Sequence, residues 1–172
     1  EQETFEAALH RVKSGDRVLT LARTGHPEAI VVLRALDAIP TGPYAYQLTW
    51  GEWKKQYGLE AYDFDIPDGT PANSNLNRDK VRSALAIAGD QEAYEGIVAQ
   101  FKDVQEKTDH SGKRRDAFRM LMDINDDRAM RTMSFYFYHE GVMMHIGGAQ
   151  DYVTHALSKI IDNPYLEELE SK

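Results

Sequence analysis

Cysteine is absent from the chain. That excludes disulfides, thiolate metal sites and cysteine nucleophiles, and it leaves the redox compartment open. No apolar run approaches the roughly 20 residues of a membrane span, so no membrane partner is expected. Basic residues are in deficit: 20 Lys and Arg stand against 28 Asp and Glu, a formal net charge of −8. A nucleic-acid scaffold needs a basic face, so no nucleic acid is expected as a partner. An acidic chain suits a basic protein instead. Catalytic signatures are missing too. None of Ser14, Ser74, Ser83, Ser111, Ser134, Ser158 and Ser171 lies in G-x-S-x-G, and neither phosphate-binding glycine motif occurs. The first residue is Glu1 rather than Met, so removal of an upstream segment is expected, with cytoplasm and periplasm both open.

What the chain does have is helical punctuation. Its 172 residues, 42% hydrophobic and 28% charged, suffice for one domain with a sizeable core. In Asp79–Phe101, Val81, Ala84, Leu85 and Ala88 recur at helical spacing. Gly89 then supplies a C-terminal stop and Asp90 an N-cap for the next helix. Ala93, Ile97 and Phe101, with Val98 beside them, stripe that second helix. The opening follows the same grammar. Phe5, Ala8, Leu9 and Val12 form one stripe, and Ser14-Gly15-Asp16 breaks the pattern. Gly25 takes a stop position, Pro27 a first helical turn, and Ala29, Ile30, Leu33 and Leu36 an inward face.

Three turns align: ARTGHPEAI, AIAGDQEAY and MDINDDRAM. Each places Gly25, Gly89 or Asn125 before a two-residue polar or proline step, and then Ala29, Ala93 or Ala129. A fourth turn at Gly147 or Gly148 slips in register, with Asp151 where the others have alanine. The spacings are 64, 36 and 22 residues. The middle one is near a helical-hairpin repeat, the first is a repeat plus an insertion, and the last suits an atypical capping unit. The pattern resembles the HEAT-like α-solenoid repeats, including the lyase-type and armadillo-like forms, over roughly residues 15–39 and 78–161. The resemblance implies an all-α, right-handed stack of about three to four helical hairpins, one repeat domain over residues 1–172, with a concave surface for extended partners.

An insertion at about residues 40–77 differs in composition. It holds both tryptophans, Trp50 and Trp53, with Tyr44, Tyr46, Tyr57, Tyr62 and Phe64, and four of the six prolines. Thr49 as N-cap and Gly58 as stop predict a short helix inside it. The following AYDFDIPDGTPANSN reads as extended chain and turns. Its rings, with Asp63 and Asp65 in an acidic rim that also includes Glu52, Glu60 and Asp68, are the candidate partner-binding residues. The alternative is that the rings fold back and seal the edge of the stack.

Other candidate chemistry is thinner. His139, His145 and His155 cluster near Glu140 and Asp151, but without the zincin spacing. Deoxyhypusine hydroxylase, an enzyme family built from HEAT-like repeats, binds iron through several His-Glu pairs. Here only His139-Glu140 occurs, so that assignment does not carry over, and no metal or cofactor is expected. Asp123, Asp126 and Asp127 lack the glycine and terminal glutamate of a calcium loop and read as helix caps. All six methionines fall between 120 and 144, at core spacing. Phe135–Tyr138 would point in all directions on a helix. The reading is a protein-binding module for a basic protein, in one form an inhibitor such as a bacterial immunity protein. The alternative is a repeat-scaffold lyase or metal-dependent hydrolase using the His139, His145 and His155 region.

Overall fold

Left-handed residues between capped helices set the architecture. The computed structural model describes residues 3–12, 16–42, 48–102 and 112–140. Among these, the chain forms eight α-helices and no strand: α1 Phe5–His10, α2 Arg17–Arg23, α3 Pro27–Asp37, α4 Trp50–Gln56, α5 Arg78–Ile87, α6 Gln91–Lys102, α7 Lys113–Ile124 and α8 Asp127–Glu140. The expected all-α class is what is found. The fourth turn, the end of the repeat resemblance up to residue 161, and the side chains of Phe135–Glu140 lie outside the described residues.

The three aligned turns share a construction. After α5, Gly89 adopts φ 97°, which an L side chain rarely tolerates. Its N–H donates to Ala86 O (3.2 Å) while the Asp90 N–H reaches back to Leu85 O (2.9 Å). This is the Schellman arrangement, and it satisfies carbonyls that α5 would otherwise leave orphaned. Asp90 Oδ1 then accepts the Ala93 N–H at 3.2 Å, so one turn stops α5 and starts α6. At the first turn Gly25 has φ 69°, and His26 takes the cap position, its Nδ1 accepting the Glu28 N–H at 3.3 Å. At the third, Asn125 has φ 49° and Asp126 Oδ1 accepts the Ala129 N–H at 2.9 Å.

The chain divides into two units between Tyr94 and Glu95, within α6. In the first, α5 packs on both α2 and α3, and α1 packs on α2. Leu9, Leu21, Leu33, Leu36, Val81 and Leu85 are among the buried side chains of its core. In the second, α7 packs on α8, and Phe101 stacks on Phe118 with ring centroids 6.3 Å apart. Met120 and Met133 are buried there, in the packing role expected of them.

The insertion belongs to the core of the first unit. Its short helix α4 starts at a full capping box: Thr49 accepts the Glu52 N–H, and the Glu52 carboxylate accepts the Thr49 N–H at 2.8 Å. Gly58 (φ 67°) ends it, with the Leu59 N–H on Lys54 O at 2.8 Å. Trp50 and Trp53 are both 0% exposed and stack with centroids 4.3 Å apart. Phe64 meets Trp50 edge-on at 5.3 Å. The Trp53 indole N–H donates to Ala35 O at 2.8 Å. Ala35 lies in the last turn of α3, where carbonyls lack intrahelical donors. Arg78 reaches the same helix end from α5, donating to Asp37 O at 2.7 Å. A second segment of the insertion runs alongside α4, with the Trp50 N–H on Thr70 O (2.7 Å), the Gly51 N–H on Asp68 O (2.9 Å) and the Ala72 N–H on Leu48 O (2.8 Å).

Candidate functional site

The aromatic insertion separates into a buried half and a displayed half. Trp50, Trp53 and Phe64 are buried, which moves them from the expected partner-binding surface into the core. The reason is volume: stacked indoles remove a large apolar area from water, and one indole N–H caps a helix end. Tyr57 is half-buried against Trp53. Tyr44 and Tyr46 lie outside the described residues. The acidic rim is also divided. Glu52 is held in its capping box, where the Thr49 N–H and then the Thr49 hydroxyl keep its carboxyl below the ordinary range. Asp68 pairs with Lys54 at 2.6 Å. Asp63 and Asp65 remain outward, with 92% and 76% of their side chains exposed.

Tyr62, Asp63 and their neighbours close a surface cavity of about 450 Å³ against α1 and the start of α3. The wall begins with Phe5 of α1, on which the imidazole of His26 stacks at 4.2 Å and 20°. Tyr62 meets Phe5 edge-on at 6.2 Å and Phe64 at 6.3 Å. The Tyr62 hydroxyl donates to Glu28 Oε2 at 2.5 Å. That hydrogen bond, followed by burial and by the nearby Glu28 charge, pushes the phenol pKa up to about 12. Glu28 is thereby tied across from α3 to the insertion. Glu6 of α1 and Asp63 complete an exposed carboxylate rim.

A second tether holds the displayed loop. The Asp65 N–H donates to His10 O at 2.9 Å, meeting an α1 carbonyl that the helix leaves free. The His10 ring lies between the two aspartates, with Nδ1 3.6 Å from Asp63 and Nε2 4.0 Å from Asp65. These surface contacts are solvent-screened and orient the loop more than they stabilise it.

The cavity contains Tyr62 and Asp63 from the expected set, with Asp65 adjacent at its His10 tether. It adds Phe5, which the apolar stripe placed inward, and Glu6, His26 and Glu28, which no sequence motif marked as site residues. A larger depression of about 840 Å³ lies between Pro40–Gly42 and Asn73–Asp79. Its walls are turn and cap groups, such as Asn77, which accepts the Lys80 N–H to start α5. Among the described residues it carries no aromatic face and no carboxylate cluster, so the smaller cavity is the stronger candidate. Of the histidine group, the side chain of His139 is not described, and His145 and His155 lie outside the described residues. Among the described residues no three His, Asp or Glu side chains are arranged to hold a metal ion. No helix among them is long and apolar enough to cross a membrane. Comparison of the chain with protein-family models, curated proteins and solved structures finds no match.

Proposed function

We propose that the chain is a protein-binding module whose helical hairpins stack in a HEAT-like manner and whose contact surface is the acidic, aromatic-walled cavity of the first unit. The observation that carries this reading is that cavity: rings on three segments form its wall, and exposed carboxylates rim it. Aromatic side chains with a polar edge are favoured at binding hot spots, and carboxylates around them select a basic partner. The recurring turn at Gly25, Gly89 and Asn125 supports the hairpin repeat. An acidic inhibitor that neutralises a basic protein, as a bacterial immunity protein does, is the concrete form.

The experiment is capture from native cells with the full chain as bait, followed by reconstitution with the purified partner. Parallel baits carry Asp63→Lys with Asp65→Lys. The product of the adjacent coding sequence is the first protein to test for reconstitution. The expected result is a stoichiometric complex with a basic protein, lost on charge reversal while the helical signal stays intact. Stoichiometric metal in the purified protein, lost on His145→Ala, would overturn the reading in favour of the hydrolase alternative.

A further inference from the structure

We propose that the cavity receives one arginine side chain of the protein partner, an inference that rests on the protein-binding reading above. The first ground is the His26 ring. It is fixed at two points, stacked on Phe5 at 4.2 Å and accepting the Glu28 N–H at Nδ1. These two contacts hold the ring in place, so binding need not organise this π surface. A planar guanidinium stacks on such a face, whereas a compact ammonium gains less from it.

The second ground is the placement of the carboxylates. Glu6 comes from α1, Glu28 from the first turn of α3 and Asp63 from the insertion, and all three line one cavity. A guanidinium presents five donors in a rigid fork and can engage two carboxylates at once. Phe5 and Leu9 offer apolar wall for the methylene stem. Among the described residues, no lysine or arginine lines the cavity, so its described wall does not repel an incoming cation.

The test uses the full chain, isotope-labelled for amide NMR, and three capped tripeptide probes. These are Gly-Arg-Gly, Gly-Lys-Gly and the citrulline counterpart, which keeps the shape of arginine without its charge. The arginine peptide should move the amide resonances of Glu6, Glu28 and Ala61–Asp63, and the citrulline peptide should not. The lysine peptide should bind about two- to fivefold more weakly, the factor corresponding to an exposed cation–π contact. His26→Asn keeps a good N-cap but removes the ring, and it should abolish the arginine preference while leaving lysine binding in place. Equal binding of the lysine peptide at the same residues would overturn the arginine assignment and leave a cavity for basic partners standing. Absence of response to either basic peptide would overturn both. Shifts spread over other acidic surface, leaving the cavity unmoved, would overturn the arginine assignment.

Discussion

Removal of the Asp90 carboxylate gives the sharpest test of how the first unit is held. Asp90 is 7% exposed and performs two tasks with its two oxygens. Oδ1 caps α6 through the Ala93 N–H at 3.2 Å, and Oδ2 accepts Arg34 Nε of α3 at 2.8 Å. Burial pushes its carboxyl pKa up. The Arg34 hydrogen bond, the Ala93 N–H, the Arg34 charge and the Glu92 N–H together outweigh burial and hold it below the ordinary range. An N-cap contributes about 1 kcal/mol. A charged hydrogen bond contributes about 1.5–3 kcal/mol in general, but Arg34 is 63% exposed, so solvent screening reduces that share to about 0.5–1 kcal/mol. Asp90→Ala should therefore cost about 2 kcal/mol at neutral pH. Asp90→Asn keeps the cap and should cost about 0.5–1 kcal/mol.

The pH dependence carries a definite sign. A carboxyl whose folded pKa is depressed adds stability above its unfolded pKa of about 3.9, and that stability is lost as pH falls through the folded value. The gap between wild type and Asp90→Asn should be full near neutrality and close in acid. Urea unfolding followed by circular dichroism, read as a midpoint shift at constant slope, measures it. A gap that persists in acid, or an Asn variant as costly as the Ala variant, would refute the account.

Three further perturbations probe the insertion. Trp53→Phe removes the indole N–H from Ala35 O (2.8 Å, buried) and should cost about 2–3 kcal/mol, most of it an unsatisfied buried carbonyl; thermal or urea unfolding reads it. Gly51→Ala places a Cβ 2.9 Å from Asp68 Cβ, and Asp68 cannot retreat without losing the Gly51 N–H on its carbonyl. Overpacking at about 1–3 kcal/mol exceeds the helix-propensity gain of about 1 kcal/mol or less, so net destabilisation in urea unfolding is expected. Tyr62→Phe cuts the tie to Glu28. Because the phenol pKa is raised to about 12, the stabilisation from this bond is present below pH of about 10 and fades as pH rises towards 12. The difference in unfolding midpoint between wild type and variant should shrink over that range.

The helices were legible because their stops and starts are local chemistry. Gly25, Gly58, Gly89 and Asn125 all adopt the positive φ their positions imply, and Thr49 and Asp90 cap as expected. Apolar spacing likewise placed Val81, Leu85, Ile97 and Phe101 inward. The site was legible only in part. Tyr62 and Asp63 stood out by composition, but Phe5, His26 and Glu28 meet them across intervals of dozens of residues. No periodicity in one sequence encodes that meeting. His26 caps α3 and Glu28 sits in its first turn, and each keeps that local role while lining the cavity. Trp50 and Trp53 were misplaced because an aromatic cluster has the same composition at an interface and in a core.

Binding and sealing, posed as alternatives for the insertion, are compatible within one short segment. Tyr62-Asp63-Phe64-Asp65 is a short irregular segment between bends, and its side chains divide between an inward and an outward side. Phe64 is buried against both tryptophans, and Tyr62 leans on Phe5 and Phe64. Asp63 and Asp65 face outward. The inward residues fix the backbone that presents the outward ones, and the Asp65 N–H on His10 O fixes its far end. A loop anchored this way loses little conformational entropy when a partner engages it. Shifting the alternation by one residue would bury the carboxylates and expose the ring, so the order of these four residues matters more than their number.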